Sequence, residues 1–274
     1  MTTPREALTA IGLLPDAEID IAGAALQLAR IDAPGADWEG ARRHLSDLAR
    51  ESVALAGWVP EGDIASRAVA LARIISGRYG YLGDVQSYDD LANANLIRVI
   101  QRRRGLPVAI GIIWLHCARA AGWPAHGVDF PGHFLVALEV GSAKVVLDVF
   151  FGGAALDTSD LSELLQRSGQ DGTLRPGLLK PMSTRAVLVR LQNNIKLRRL
   201  AAGDVAGGLT CIEDTLRIAP EAGLLWREAA LLNQRLGRLA PALRCFEQYL
   251  ALAPQGESAA RARAAVEQLR ARLG

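Results

Sequence analysis

Two side chains that could share a proton stand at the ends of neighbouring apolar runs. His133 opens the run in FPGHFLV, and Asp148 closes the next run in VVLDVFFGG. A histidine that accepts a proton and a carboxylate that orients its imidazole are two of the three parts of a catalytic triad. The same pair could instead bind a ligand, coordinate a metal weakly or satisfy buried polar groups. The third part of a triad, the nucleophile, must be sought elsewhere in the chain.

Short strands and one apolar helix are the elements that would position this pair. β-branched and apolar residues dominate the runs on both sides of a Gly-Ser turn, which is typical of a hairpin. The predicted strands are 125–129, 134–140 and 144–150. Pro107 suits the first turn of a helix, since the N–H that proline lacks would be unpaired there, and this helix should continue to Ala121. His133 and Asp148 then lie near matching points of adjacent strands.

The remainder of the chain is predicted to be helical. Apolar residues recur at helical spacing after Pro15-Asp16 and in several later segments. The predicted helices in the first half of the chain are 37–56, 64–76 and 92–103, with Gly105 ending the last of them. The simplest interpretation is an α+β domain over residues 1–184, followed by a helical domain over residues 185–274.

An internal repeat marks the C-terminal part. Ala219-Pro220 recurs as Ala253-Pro254, 34 residues later, and Cys211 recurs as Cys245 at the same offset. A helical period of 34 residues is that of the tetratricopeptide repeat, whose paired helices commonly bind proteins. The repeated cysteines occupy equivalent inward positions, so we expect them to pack as small apolar side chains.

Composition excludes several classes of protein. The formal net charge is +2 and 22% of the 274 residues are charged, which gives no electrostatic bias towards nucleic acid or an anionic membrane. Three widely spaced cysteines without a CxxC motif favour a reducing compartment, and we expect a cytoplasmic protein. No nucleotide-binding glycine motif and no close metal-ligand spacing is present, so neither a cofactor nor a metal is predicted.

The order of the motifs resembles a known fold. RRGLPV, RAAGWPAHGV, PGHFLV and VVLDVFFGG follow one another as in the transglutaminase-like, cysteine-protease-like fold. The chain is more closely similar to the bacterial SirB-type family, in which a helical N-terminal part and a transglutaminase-like core precede a tetratricopeptide-like tail. The resemblance implies a small antiparallel sheet, His133 as a general base and Asp148 as the group that orients it. Val149 stands where the family usually has proline.

The resemblance also implies that the nucleophilic cysteine is missing from this chain. Active transglutaminase-like enzymes carry a cysteine at the start of the core helix, where unpaired N–H groups and the helix dipole stabilise a thiolate. In this chain that position falls near Pro107, Val108 and Ala109, none of which is a nucleophile. Cys117 lies eight residues past Ala109, which is ~12 Å along a helix, and it has lost the field of the helix start.

Polar residues before the core helix are further candidates for the site. The resemblance makes Asn93, with Tyr88 nearby, a candidate for lining the cleft near the missing nucleophile. Alternatively, Asp90 or Asn93 caps the helix that follows.

Two functions from different classes remain open. The first is a non-catalytic protein-binding or regulatory scaffold, which has lost thiol chemistry and binds a protein or peptide through its helical repeats. The second is a hydrolase or acyl-transfer enzyme that uses His133 and Asp148 with activated water or with a nucleophile not yet located. The empty helix start favours the first, and the retained pair favours the second. A hydrogen bond between the two side chains is expected in either case.

Overall fold

A computed structural model describes residues 2–274 and divides the chain into two compact units. The core unit is Pro15–Leu191, and the repeat unit consists of the residues up to Leu14 together with Gln192–Gly274. The predicted domain boundary between residues 184 and 185 stays a prediction. Among the helices formed by residues 2–274, none combines the length and the apolar character needed to cross a bilayer.

Helices make up most of both units. In the core unit they are α2 (Ile21–Asp32), α3 (Trp38–Ala56), α4 (Ile64–Ala72), α5 (Leu96–Arg102), α6 (Pro107–Ala120) and α7 (Thr158–Arg167). The remaining helices are α1 (Pro4–Gly12), α8 (Thr184–Ala201), α9 (Val205–Ile218), α10 (Gly223–Arg235), α11 (Leu239–Leu252) and α12 (Glu257–Leu273). Many begin at a side chain that accepts a backbone N–H of the first turn, as Asp20, Asp37, Asp63 and Asp157 do.

The core unit contains two sheets. The strands are β1 (Leu82–Gly83), β2 (Arg104–Gly105), β3 (Ala125–Phe130), β4 (His133–Val140), β5 (Ala143–Asp148), β6 (Ala154–Leu156) and β7 (Pro181–Met182). β1 and β2 form a short parallel pair, and the other strands form an antiparallel sheet in the order β6-β5-β4-β3-β7. The predicted strands correspond to β3, β4 and β5, so the small antiparallel sheet is confirmed.

The antiparallel sheet is covered on both faces. Apolar side chains of β3, β4 and β5 form a cluster with Leu161 and Leu165 of α7. On the other face, α6 approaches so closely that a Cβ on Gly111 would lie 2.3 Å from the ring of Phe134. α6 is apolar all round its circumference, and residues Val108–Leu115 are all buried, as expected for a helix in the middle of a domain.

The repeat unit confirms the 34-residue period. α9 and α11 begin and end at positions 34 residues apart, and each stops at an alanine before a proline, Ala219 and Ala253. Cys211 is buried, and Cys245 is half-buried against the apolar clusters of this unit. The capping box of Thr3 and Glu6 starts α1, which packs on α9, where Arg5 pairs with Asp214.

Two predicted helices need correction. The helix expected over 64–76 ends at Ala72 and continues as a π-helical turn, Arg73–Arg78. The helix expected over 92–103 begins only at Leu96, because the side chain of Asn95 accepts the N–H groups of Ile97 and Arg98. It ends at Arg103, which adopts the left-handed conformation with φ 57°, before the predicted stop at Gly105.

Candidate functional site

His133 and Asp148 are joined by a hydrogen bond in the core unit. The sheet register pairs Val136 with Leu147, so the next step places Leu135 opposite Asp148, and His133 lies two residues farther along the same face. The distance between Nε2 of His133 and Oδ1 of Asp148 is 3.0 Å. A carboxylate only accepts, so Nε2 carries the proton and Nδ1 is the unprotonated nitrogen of the neutral ring. The expected contact is present, whereas its catalytic role stays a prediction.

Asp148 also fixes the turn that follows its strand. Its Oδ1 accepts the backbone N–H groups of Phe150 at 3.0 Å and of Phe151 at 3.4 Å. Its backbone oxygen accepts the N–H of Gly153 at 2.8 Å. Asp148 is buried, so this carboxylate is anchored by several donors, one of which is the imidazole. The hydrogen bonds of Asp148 therefore hold the backbone of Phe150 and Phe151 in place, and one of them also joins Asp148 to His133.

The surroundings of His133 leave one ring nitrogen available. Arg190 donates to the backbone oxygen of His133 at 2.7 Å and pairs with Asp129. Phe150 packs its ring edge-to-face against the imidazole, with centroids 6.2 Å apart. Nδ1 has no hydrogen-bond partner within residues 2–274, and 15% of the side chain is exposed. Nδ1 can thus accept a proton or a hydrogen bond from a ligand.

The start of α6 carries only hydrocarbon. Its first turn contains Pro107, Val108 and Ala109, all buried. Cys117 lies two turns farther along the helix with no exposed surface, and burial raises the pKa of its thiol to about 12. A thiol with this pKa is almost wholly protonated at neutral pH and is not a nucleophile. The neighbouring His116 bonds the backbone oxygen of Leu45 at 2.9 Å, which is a structural contact.

Asn93 and Tyr88 have different environments. Asn93 is fully buried in a 3-10 turn, Leu91–Asn93, and its amide donates to the backbone oxygen of Ser87 at 2.6 Å. Asp90 caps that turn by accepting the N–H of Ala92. Tyr88 is 42% exposed and packs edge-to-face on Phe150. Asn93 thus braces the loop from inside, while Tyr88 stands at the surface beside the candidate site. Their binding role stays a prediction.

A pocket of about 680 Å³ opens beside the pair. The pocket is lined by segment 82–87, by Arg102 and Arg104, and by Phe150 and Phe151. Asp84 accepts from the hydroxyl and the backbone N–H of Ser87, which lower the pKa of its carboxyl to about 2, and it pairs with Arg102 at 2.9 Å. Among residues 2–274 no group of three or more histidine, cysteine or acidic side chains is placed to hold a metal ion.

Sequence reasoning did not identify Phe150, Arg190 or Arg104 as part of this region. Phe150 lies inside the VVLDVFFGG motif, which was a readable signal. Arg104 belongs to a run of three arginines, and such a run is more typical of a solvated helix end than of a binding site. Arg190 is 57 residues from His133 in the chain, and no local pattern links the two.

Comparison with known proteins assigns both parts of the chain. Residues 39–193 match the model of the transglutaminase-like superfamily, and residues 195–267 match a tetratricopeptide repeat. A UPF0162 protein of Pseudomonas aeruginosa is 32% identical over 198 residues, which cover 72% of this chain and 71% of that one.

Two further relatives cover less of the chain. A UPF0162 protein of Xylella fastidiosa is 32% identical over 172 residues, and the chain spans 61% of its length. The human F-box only protein 21 is 30% identical over 81 residues, which are 30% of this chain and 13% of that protein. The chain belongs to the transglutaminase-like superfamily, among the UPF0162 proteins, and carries a tetratricopeptide repeat.

Proposed function

We propose that this chain is a non-catalytic member of its superfamily and acts as a protein-binding scaffold. The observation that supports the proposal is the first turn of α6, which holds Pro107, Val108 and Ala109. The resemblance to active transglutaminase-like enzymes would put a cysteine there. A His–Asp pair without a nucleophile cannot form a covalent acyl intermediate.

The cysteines of the chain support this proposal. Cys117 and Cys211 are buried, and Cys245 is half-buried with its pKa raised by burial. A catalytic cysteine needs the opposite environment, one that lowers the thiol pKa and admits substrate. Cys245 belongs to the repeat unit and Cys117 to the interior of α6, so neither occupies the first turn of the core helix.

The repeat unit supplies the binding surface in this proposal. Tetratricopeptide helices generally mediate contacts between proteins. Leu224 and Leu231 of α10 are 65% and 49% exposed and lie seven residues apart, on one face of the helix, and Leu197 of α8 is 54% exposed. Exposed leucines on helix faces are suited to receiving the apolar residues of a partner.

One observation favours a second candidate, a hydrolase. In the neutral imidazole of His133, the hydrogen bond to Asp148 puts the proton on Nε2, so Nδ1 is the acceptor nitrogen, and Nδ1 has no partner within residues 2–274. A base so oriented could activate a water molecule for attack on an ester or amide. The pair would then act in catalysis without a covalent intermediate.

Affinity capture with the intact chain tests the scaffold proposal. The bait is the full chain, and the comparison is Leu224→Glu with Leu231→Glu, which places charge on the exposed face of α10. We expect a protein from the source cells that the wild-type chain retains and the double variant loses. As a control, Leu273→Glu changes an exposed leucine at the end of α12, 47% exposed, and should retain the protein. Retention that does not differ between the variants would contradict the role of this face.

A further inference from the structure

The pocket beside the His–Asp pair combines an apolar wall with charged groups. Leu82, Val85, Phe150 and Phe151 form the apolar side, and Val85 and Phe151 are 67% and 63% exposed. Exposed apolar side chains of this size with charged residues around them typically mark a site of interaction. The volume of about 680 Å³ is sufficient for a few side chains of a bound peptide.

One cation of the pocket has no offsetting charge. Arg102 pairs with Asp84 at 2.9 Å and with Asp90 at 3.0 Å. Arg104 donates only to the backbone oxygens of Gly80 and Arg103, and it forms no ion pair within residues 2–274. The guanidinium of Arg104 therefore presents an unpaired positive charge next to apolar surface. This combination complements a carboxylate that is attached to an apolar body.

The apolar wall is held in place before any ligand arrives. A Cβ on Gly83 would lie 2.2 Å from the ring of Phe150, so the strand and the ring are in close contact. Asp148 fixes the backbone of Phe150 and Phe151, and His133 in turn holds Asp148. A wall that is already ordered loses little conformational entropy on binding, which favours affinity.

We infer that this pocket binds a segment of a protein partner in which a Glu or Asp side chain stands next to a large apolar residue. Arg104 receives the carboxylate, and Val85 and Phe151 receive the apolar side chain. The inference rests on the proposed function, because a protein that acts as a scaffold must bind a partner protein. It assigns His133 and Asp148 as positioning residues that present the aromatic turn.

Selection from random peptides tests this inference without knowledge of the partner. Short random peptides displayed on phage are selected on the full chain, and enriched sequences are synthesised with a fluorescent label. We expect enrichment of an acidic residue adjacent to a large apolar one. Affinity measured by fluorescence polarisation should fall at least about tenfold for Arg104→Glu, which brings like charges together. Arg43→Glu makes the same charge change at an exposed arginine of α3 and should stay within about twofold.

A change in the peptide completes the cycle and does not depend on how the variant folds. Replacing the acidic residue of the peptide by its amide should weaken binding to the wild-type chain and have little further effect on Arg104→Glu. The inference is overturned if no peptide is enriched, if enriched peptides lack an acidic residue, or if Arg104→Glu and Arg43→Glu bind alike. None of those outcomes contradicts the proposed non-catalytic function. That function would be contradicted by a different result, namely substrate turnover that depends on His133.

Discussion

Nε2 of His133 lies 3.0 Å from Oδ1 of Asp148, and the same oxygen accepts the backbone N–H of Phe150. In a catalytic triad this carboxylate would orient the imidazole. Here the imidazole also helps to orient the carboxylate, which holds the turn that carries Phe150 and Phe151. The pair therefore has a structural role in the core unit, since its hydrogen bonds hold the turn that follows β5.

Removing the carboxylate should destabilise the core unit. In Asp148→Ala the N–H groups of Phe150 and Phe151 lose a buried acceptor, and we expect the free energy of unfolding to fall by about 2–4 kcal/mol. Asp148→Asn keeps an oxygen acceptor and should cost about half as much. Urea denaturation measures both. The control Glu61→Ala changes an exposed carboxylate that has no hydrogen bond or ion pair within residues 2–274 and should stay within about 0.5 kcal/mol, and an Asp148→Ala loss no larger than this would contradict the positioning role.

The three thiols should react slowly and in a set order. Cys245 is half-buried, while Cys117 and Cys211 are buried, so iodoacetamide should label Cys245 first. Burial raises the pKa of Cys117 to about 12, which leaves about one part in 10⁵ as thiolate at neutral pH. Mass spectrometry of labelled peptides gives the rates, and Cys245→Ala should remove the earliest phase. Labelling of Cys117 ahead of Cys245 would mean that it is an activated thiol.

His44 should make stability depend on pH. Burial and, secondarily, the adjacent Arg103 lower the pKa of His44 to about 4, below the unfolded value of about 6.5. The folded state thus disfavours the proton, so this contribution is complete above about pH 6.5 and is lost as the pH falls towards 4. The wild-type chain should lose about 2 kcal/mol more than His44→Gln between pH 7.5 and pH 4.5 in urea titrations. Equal losses in the two proteins would show that His44 titrates normally.

Gly153 should tolerate no side chain. It has φ 88°, and a Cβ there would lie 2.1 Å from the ring of the buried Trp114. Gly153→Ala should lower the free energy of unfolding by about 3 kcal/mol, through the clash as well as the left-handed backbone. Gly141→Ala is the matched control, because Gly141 has φ 57° and open space around it, and it should cost about 1 kcal/mol. Thermal melting of the two variants separates the contributions, and equal melting temperatures would contradict a rigid contact at Trp114.

Much of the fold was predictable from local patterns. Pro107 at a helix start, the strands around the Gly-Ser turn and the 34-residue repeat all follow from short-range rules, and the structure has them. Helix α1 was also readable, since Thr3 and Glu6 form a capping box with Pro4 at the first position, but it was not predicted. The interruption at Asn95 was missed because apolar periodicity continues through it, while its side chain takes over the N–H groups of the next turn.

The site was predictable only in part. His133 and Asp148 share a strand register, so the contact between them could be expected. The surrounding groups come from distant segments, such as Arg190 on α8 and Gly83 on β1, and tertiary packing alone brings them to Phe150 and His133. The burial of Asn93 was likewise decided by the loop around Ser87 rather than by any neighbouring residue in the chain.

The sharpest test of the non-catalytic proposal is the rate at which the intact chain releases product from fluorogenic ester, thioester and glutamine-amide substrates. We expect wild type and His133→Ala both to stay at the buffer rate, at pH values on either side of the ordinary histidine pKa of about 6.5. Product release by wild type that exceeds the buffer rate, and that His133→Ala abolishes, would contradict the proposal.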